Sequence, residues 1–119
     1  MAEKIDMNES ILNSIKKLLG ITAEYTNFDT DIIIHINSVF MILNQLGVGP
    51  SKCFRIEDEY TTWDEYITED NDLDAVKTYM YLKVKLLFDP PLSSSVLEAN
   101  KQLINELEWR LNVQVKEEV

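Results

Sequence analysis

Apolar residues recur along most of this chain at intervals of three and four, the spacing that puts side chains on one face of an α-helix. Ile11, Leu12, Ile15, Leu18 and Leu19 form the first such run. Glu9 precedes it, Lys16 and Lys17 fall in its last turn and Gly20 follows, an order that suits the helix dipole and a left-handed cap. The second run is Ile32, Ile33, Ile36, Val39, Phe40, Leu43 and Leu46, with Asp29, Thr30 and Asp31 as candidate N-caps and Gly47 as the stop. The β-branched triplet Ile32-Ile33-Ile34 favours a strand locally. The apolar positions nevertheless continue at helical spacing for about four turns, so a helix is expected.

In the third run Leu73, Val76, Met80, Val84 and Leu87 line one face, and Ala75, Tyr79, Leu82 and Leu86 line another. Lys77, Lys83 and Lys85 are confined to the remaining strip. Two apolar faces require two neighbours, so this helix is either central to the domain or lends a face to another subunit. Phe88-Asp89-Pro90-Pro91 ends it, because the residue before a proline avoids helical geometry. The fourth helix opens in Ser93-Ser94-Ser95, where Ser95 and Glu98 are spaced as a capping box, and continues through Val96, Leu97, Leu103, Ile104, Leu107 and Leu111. From Val113 to Val119 apolar and polar residues alternate, which reads as a frayed end or as a short strand added to a partner.

Between Gly47 and about Asp72 the helical pattern fails. Gly47, Gly49 and Pro50 break the backbone, Arg55-Ile56-Glu57 suffices at most for a short strand, and Thr61 or Thr62 can cap one helical turn that points Trp63, Tyr66 and Ile67 inward. Loops this long are uncommon in compact domains unless they bind something or move. The loop reads as separable: deleting residues 51–70 is expected to leave a folded helical domain. The pattern thus predicts an all-α fold of about four helices over a single domain, residues 1–119. A long acidic loop joins the second and third helices, and residues 1–7 and 114–119 are expected to be flexible in the free chain.

Composition narrows the function. With 119 residues, 45% of them hydrophobic, the chain can bury one core, and its charge of −10 opposes a phosphate backbone or an anionic membrane. The N-terminal stretch lacks the apolar core of a signal peptide, and Ile32-Ile33-Ile34 is interrupted by His35 long before it spans a bilayer, so neither export nor insertion is expected. One cysteine, Cys53, excludes an internal disulfide and supplies no pair of thiolate metal ligands. The only histidine, His35, lies in an apolar helix with no sequence neighbour to orient it, and no local pattern marks Cys53 as a nucleophile. Catalysis and cofactor binding are therefore not expected.

The densest charged feature runs from Glu57 to Asp74 and holds Glu57, Asp58, Glu59, Asp64, Glu65, Glu69, Asp70, Asp72 and Asp74 without a Lys or Arg. Asp70, Asp72 and Asp74 have the spacing that opens a helix-loop-helix calcium site, but Ala75 stands where such a loop needs glycine and Tyr81 where it needs a bidentate glutamate. No metal site is expected. The block reads as a solvated face that also favours the start of the third helix, or as a surface for a basic partner or a DNA channel.

Three stretches, Ile36–Gly49, Val76–Pro91 and Asn105–Asn112, resemble the head-tail connector, or adaptor, proteins of tailed bacteriophages and prophages of Gram-positive hosts. The resemblance lies in packing pattern and helix boundaries over most of residues 9–113. It implies a structural virion protein that assembles as a ring, typically dodecameric, in the neck beneath the portal, where DNA passes through without specific binding. It implies self-association, contact with the portal and with the next neck or tail-terminator protein, no membrane, and assembly in the host cytoplasm. By position, Trp109, Arg110, Val113 and Val115 would dock on the portal. The loop of residues 48–70, with Glu57, Asp58, Glu59, Trp63 and Tyr66, would meet ring neighbours or the next neck protein. The alternative, from another class, is a small acidic regulator or DNA mimic that binds a basic protein through residues 57–74.

Overall fold

A computed structural model describes residues 9–67 and 70–117, with side chains over 9–67 and 73–115. Among these the elements are α1 (Ile11–Leu18), α2 (Asp29–Gln45), the single turn α3 (Trp63–Tyr66), α4 (Asp70–Phe88) and α5 (Ser94–Glu117), with no strand and one isolated bridge between Ser10 and Thr62. The fold is all-α, as the spacing predicts. α3 is the turn foreseen within the loop, so five helices replace about four.

α4 is the central element. Leu73, Val76, Met80 and Val84 are buried where it meets α1 and α2, and Tyr79 and Leu82 are buried as well, with α5 packed along the helix. Its two apolar faces are thus both used within the chain. Leu87 is the exception, standing exposed beyond the end of the first face. From α1 the core takes Ile11, Leu12 and Ile15, and from α2 Ile32, Ile36, Val39, Phe40 and Leu43. Covering such side chains contributes roughly 1.5–3 kcal/mol each.

Helix starts follow the sequence less closely than helix stops. Ser10 caps α1, its Oγ accepting from the Asn13 N–H at 3.2 Å. α2 begins at Asp29 after Phe28 with no side-chain cap; Asp29 and Asp31 lie in its first turn, where they complement the dipole. For α5 the cap falls at Ser93 and not Ser95: the Ser93 carbonyl accepts from Leu97 N–H at 3.0 Å and its hydroxyl lies 3.5 Å from Val96 N, so Ser95 and Glu98 form no capping box. At the other ends, Gly20 (φ 84°) and Gly47 (φ 86°) stop α1 and α2 in the left-handed conformation.

The C-terminal tail corrects the sequence reading. α5 runs through Glu117, so residues 114–117 are helical and form no extended strand. Val115 lies four residues after Leu111, which extends the Ile104, Leu107, Leu111 stripe by another turn and outweighs the local alternation. Its side chain packs at the end of α2, where a Cβ on Gly47 would stand 3.0 Å from it. Val96 and Leu103, expected on the buried face, are exposed on its flank. Residues 1–8, 68–69 and 118–119 lie outside the description, as does the expectation of flexibility for 1–7.

Candidate assembly surfaces

The connection from Leu46 to Thr62 contains no regular element, yet it is pinned along its length. Asn37 reaches from α2 to clamp Ile56 from both sides: its Nδ2 donates to the Ile56 carbonyl at 2.9 Å and its Oδ1 accepts the Ile56 N–H at 2.8 Å. Two turns further along α2, Asn44 Nδ2 donates to the carbonyls of Pro50 and Ser51 at 3.2 and 3.3 Å. Arg55-Ile56-Glu57 is therefore held by side chains and forms no strand.

Apolar residues do the rest. Phe40 on α2 meets Tyr66, Phe54 and Trp63 with ring centroids 4.7, 5.1 and 6.5 Å apart, and Phe54 meets Tyr66 at 5.2 Å. Ile56 is buried beside them in the core. Trp63 is 0% exposed and its indole N–H donates to Ser14 Oγ at 2.8 Å. Backbone bonds from Ile11 N to Thr61 O and from Trp63 N to Glu9 O stitch this end of the loop to the start of α1. Thr62 and Glu65 frame α3, the Glu65 carboxylate accepting the Thr62 N–H at 2.8 Å.

This arrangement overturns two expectations. Trp63 and Tyr66, placed in a partner interface by sequence position, are buried and hold the loop to the domain. For the same reason residues 51–70 are not separable, because deleting them removes Ile56, Trp63 and Tyr66 from the core. What the loop leaves outside is its tip: Glu57, Asp58 and Glu59 are exposed, and Tyr60 is 77% exposed. Asp64 and Glu65 are exposed as well.

The second surface is the outer side of α5. Trp109 is 65% exposed, pointing away from the Ile104 and Leu111 side that packs on α4. Arg110 beside it is exposed and paired with Glu106 one turn back at 2.8 Å. Val113 is half-buried one turn beyond Trp109, while Val115 is half-buried on the inner side, so the four residues expected on the portal-facing segment divide between two faces. Two polar contacts fix the helix: the Tyr79 O–H donates to Glu108 Oε2 at 2.6 Å, and Asn112 Nδ2 donates to the Leu46 carbonyl at 3.3 Å. Burial, then the Glu108 hydrogen bond and charge, push the Tyr79 phenol well above its ordinary pKa; burial and the neighbouring Cys53 do the same for Tyr66.

A third surface lies at one end of the bundle. Tyr25 and Phe28, in the connection between α1 and α2, meet at a tilt of 51° with centroids 5.6 Å apart, and Phe28 meets Phe88 of α4 edge-on at 5.2 Å. Both Tyr25 and Phe28 are exposed, as are Leu87 and Leu92 on the neighbouring stretch. Tertiary contacts of polar side chains, such as Asn37, Asn44, Tyr79 with Glu108, and Lys16, position these surfaces in ways that periodicity does not reveal.

The residues considered for chemistry are dispersed. His35 is half-buried on α2, Cys53 is exposed in the loop with its Sγ 3.8 Å from the Phe54 carbonyl, and no group of three His, Cys, Asp or Glu among the described residues is placed to hold a metal ion. The side chains of Asp70 and Asp72, part of the calcium pattern, lie outside the description. No helix among the described residues is long and apolar enough to cross a membrane.

No curated protein and no solved structure matches the chain. The family described as phage connector protein matches it over residues 11–118, which takes in every helix, the pinned loop and all three exposed surfaces. The chain belongs to the phage connector protein family and is a structural connector of phage particles.

Proposed function

We propose that the protein is a neck adaptor of a tailed phage of a Gram-positive host: copies assemble as a ring, of twelve subunits, that joins the portal of the DNA-filled head to the tail. The family match from α1 to the end of α5 carries this reading. The exposed Trp109 supports it, since a large aromatic on an outward helix face is the residue type that anchors protein interfaces. In this arrangement the protein works through surfaces and catalyses nothing. Trp109 and Arg110 of α5 face the portal, Glu57, Asp58 and Glu59 at the loop tip meet a ring neighbour or the next neck protein, and the acidic surface lets DNA pass without adhering.

Electron microscopy of the protein mixed with its portal tests the proposal. Rings stacked on the portal are expected. A protein that stays monomeric beside the portal and instead binds a basic protein would overturn the adaptor role in favour of an acidic regulator. Within the ring, Trp109→Ala is expected to weaken portal attachment at least tenfold, the loss typical of an interface anchor of about 1.4 kcal/mol or more. Its melting temperature should stay within a few degrees of the parent, as for other exposed positions. Equal portal binding by the variant would refute the assignment of this face.

A further inference from the structure

One charged side chain plays no part in these surfaces and is nevertheless fully buried. Lys16, in the last turn of α1, is 0% exposed. Lysines are almost never found in that state without partners. Its Nζ donates to the carbonyls of Ala23 and Tyr25 at 3.1 and 2.8 Å. It also lies 2.7 Å from Asp29 Oδ1, off the line of a hydrogen bond, which makes that contact an ion pair. All three oxygens belong to the connection between α1 and α2 or to the first residue of α2.

This connection has little else to hold it. Past Gly20 and Ile21, which complete the end of α1, its backbone bonds are Tyr25 N to Thr22 O and Asp29 N to Thr26 O, both at 3.2 Å. Residues 22–28 are all exposed, and their apolar anchorage is confined to the contact of Phe28 with Phe88. Two carbonyls and a carboxylate converging on one positive charge form the donor set of a small cation site, with the cation supplied by the chain itself.

We propose that Lys16 is a tethered cation that organises residues 22–29, and that these residues form a cradle selective for a primary ammonium group. The cradle sets the backbone at Tyr25 and so fixes the aromatic ledge of Tyr25, Phe28 and Phe88 as a preformed surface. The ledge is then a rigid feature of the domain, whatever it meets. The role is independent of the adaptor reading and concerns the isolated chain.

Amide hydrogen exchange separates this from plain packing of the lysine stem. Lys16→Met keeps the stem and removes the charge; exchange of the hydrogen-bonded amides of Tyr25 and Asp29 is expected to rise about tenfold or more while amides in the middle of α4 keep their protection. Lys16→Ala should show the same loop opening, and n-propylammonium, which supplies the missing chain and charge, should restore protection where tetramethylammonium at equal concentration does not. Exchange in Lys16→Met equal to that of the parent overturns the proposal, as does equal action of the two ammonium ions. If neither Lys16 variant folds, Asp29→Asn decides: exchange raised severalfold at the Tyr25 amide supports the cradle, and unchanged exchange overturns it.

Discussion

α1 and α2 end in the same way, and the two connections that follow are built differently. Gly20 N–H bonds Lys17 O and Ile21 N–H bonds Lys16 O; Gly47 N–H bonds Asn44 O and Val48 N–H bonds Leu43 O, the same pair of bonds at the same offsets. After Gly20 the chain tucks Ile21 against the core, crosses to α2 over residues 22–28 with exposed side chains and wraps around a buried ammonium. After Gly47 it takes residues 48–62, carries Phe54 and Ile56 into the core and lets two asparagines of α2 hold its backbone. A short connection with little apolar surface to bury is ordered chiefly by charge and carbonyls. A longer one that brings its own apolar plug needs only hydrogen bonds to steer it.

The largest effect expected from breaking this contrast is at the plug. Trp63→Ala should cost about 3–5 kcal/mol, since it empties a fully buried aromatic site and removes the donor to the Ser14 hydroxyl oxygen, and chemical denaturation would read it as a lower midpoint. Asn37→Ala comes next, at about 1–3 kcal/mol, because it leaves both polar groups of the half-buried Ile56 backbone without their partner. Its signature is local: exchange should rise at the Ile56 amide and stay unchanged at those of Tyr25 and Asp29. The finest comparison substitutes alanine for glycine in both connections at nearly equal φ. At Gly20 (φ 84°) no atom lies within 4 Å of the added Cβ, so only the left-handed backbone is penalised, by about 1–2 kcal/mol. At Gly49 (φ 86°) the Cβ would stand 2.6 Å from the Tyr66 ring, so thermal melting should show a loss exceeding that of Gly20→Ala by about 1 kcal/mol or more. Equal losses at the two glycines would mean that the Tyr66 ring yields freely and that the plug is looser than its packing indicates.

The parts legible in the sequence are those governed by a period or a steric rule. Ile11, Leu12 and Ile15, the Ile32 to Leu43 face and both faces of α4 follow from spacing, and Gly20, Gly47 and the proline pair after Asp89 stop their helices because backbone geometry requires it. Contacts between polar side chains distant in sequence have no such signature. Asn37 looks like any polar residue on a helix, and Lys16 looks like a last-turn lysine placed for the dipole, until the neighbouring loop is seen around it. Trp63 carries two readings: the capped turn points it inward, which is where it lies, and only its place in the loop puts it at an interface. For the exposed sites, the outward position of Trp109 is implicit in its offset from Ile104 and Leu111, whereas the split of Val113 and Val115 between two faces depends on α5 continuing as a helix to Glu117.

The two tryptophans differ in a way that gives the molecule separate optical reporters. Trp63 is sealed in the core with its indole N–H bonded to Ser14, and Trp109 stands in solvent on α5. Light emitted from the first comes from a dry, rigid site and shifts only when the core opens. Light emitted from the second comes from a hydrated indole and is open to collisional quenchers until something covers that face. Quenching by iodide or acrylamide therefore follows what happens at α5 while the unquenched fraction follows the fold, so the unlabelled protein distinguishes assembly from unfolding in one cuvette.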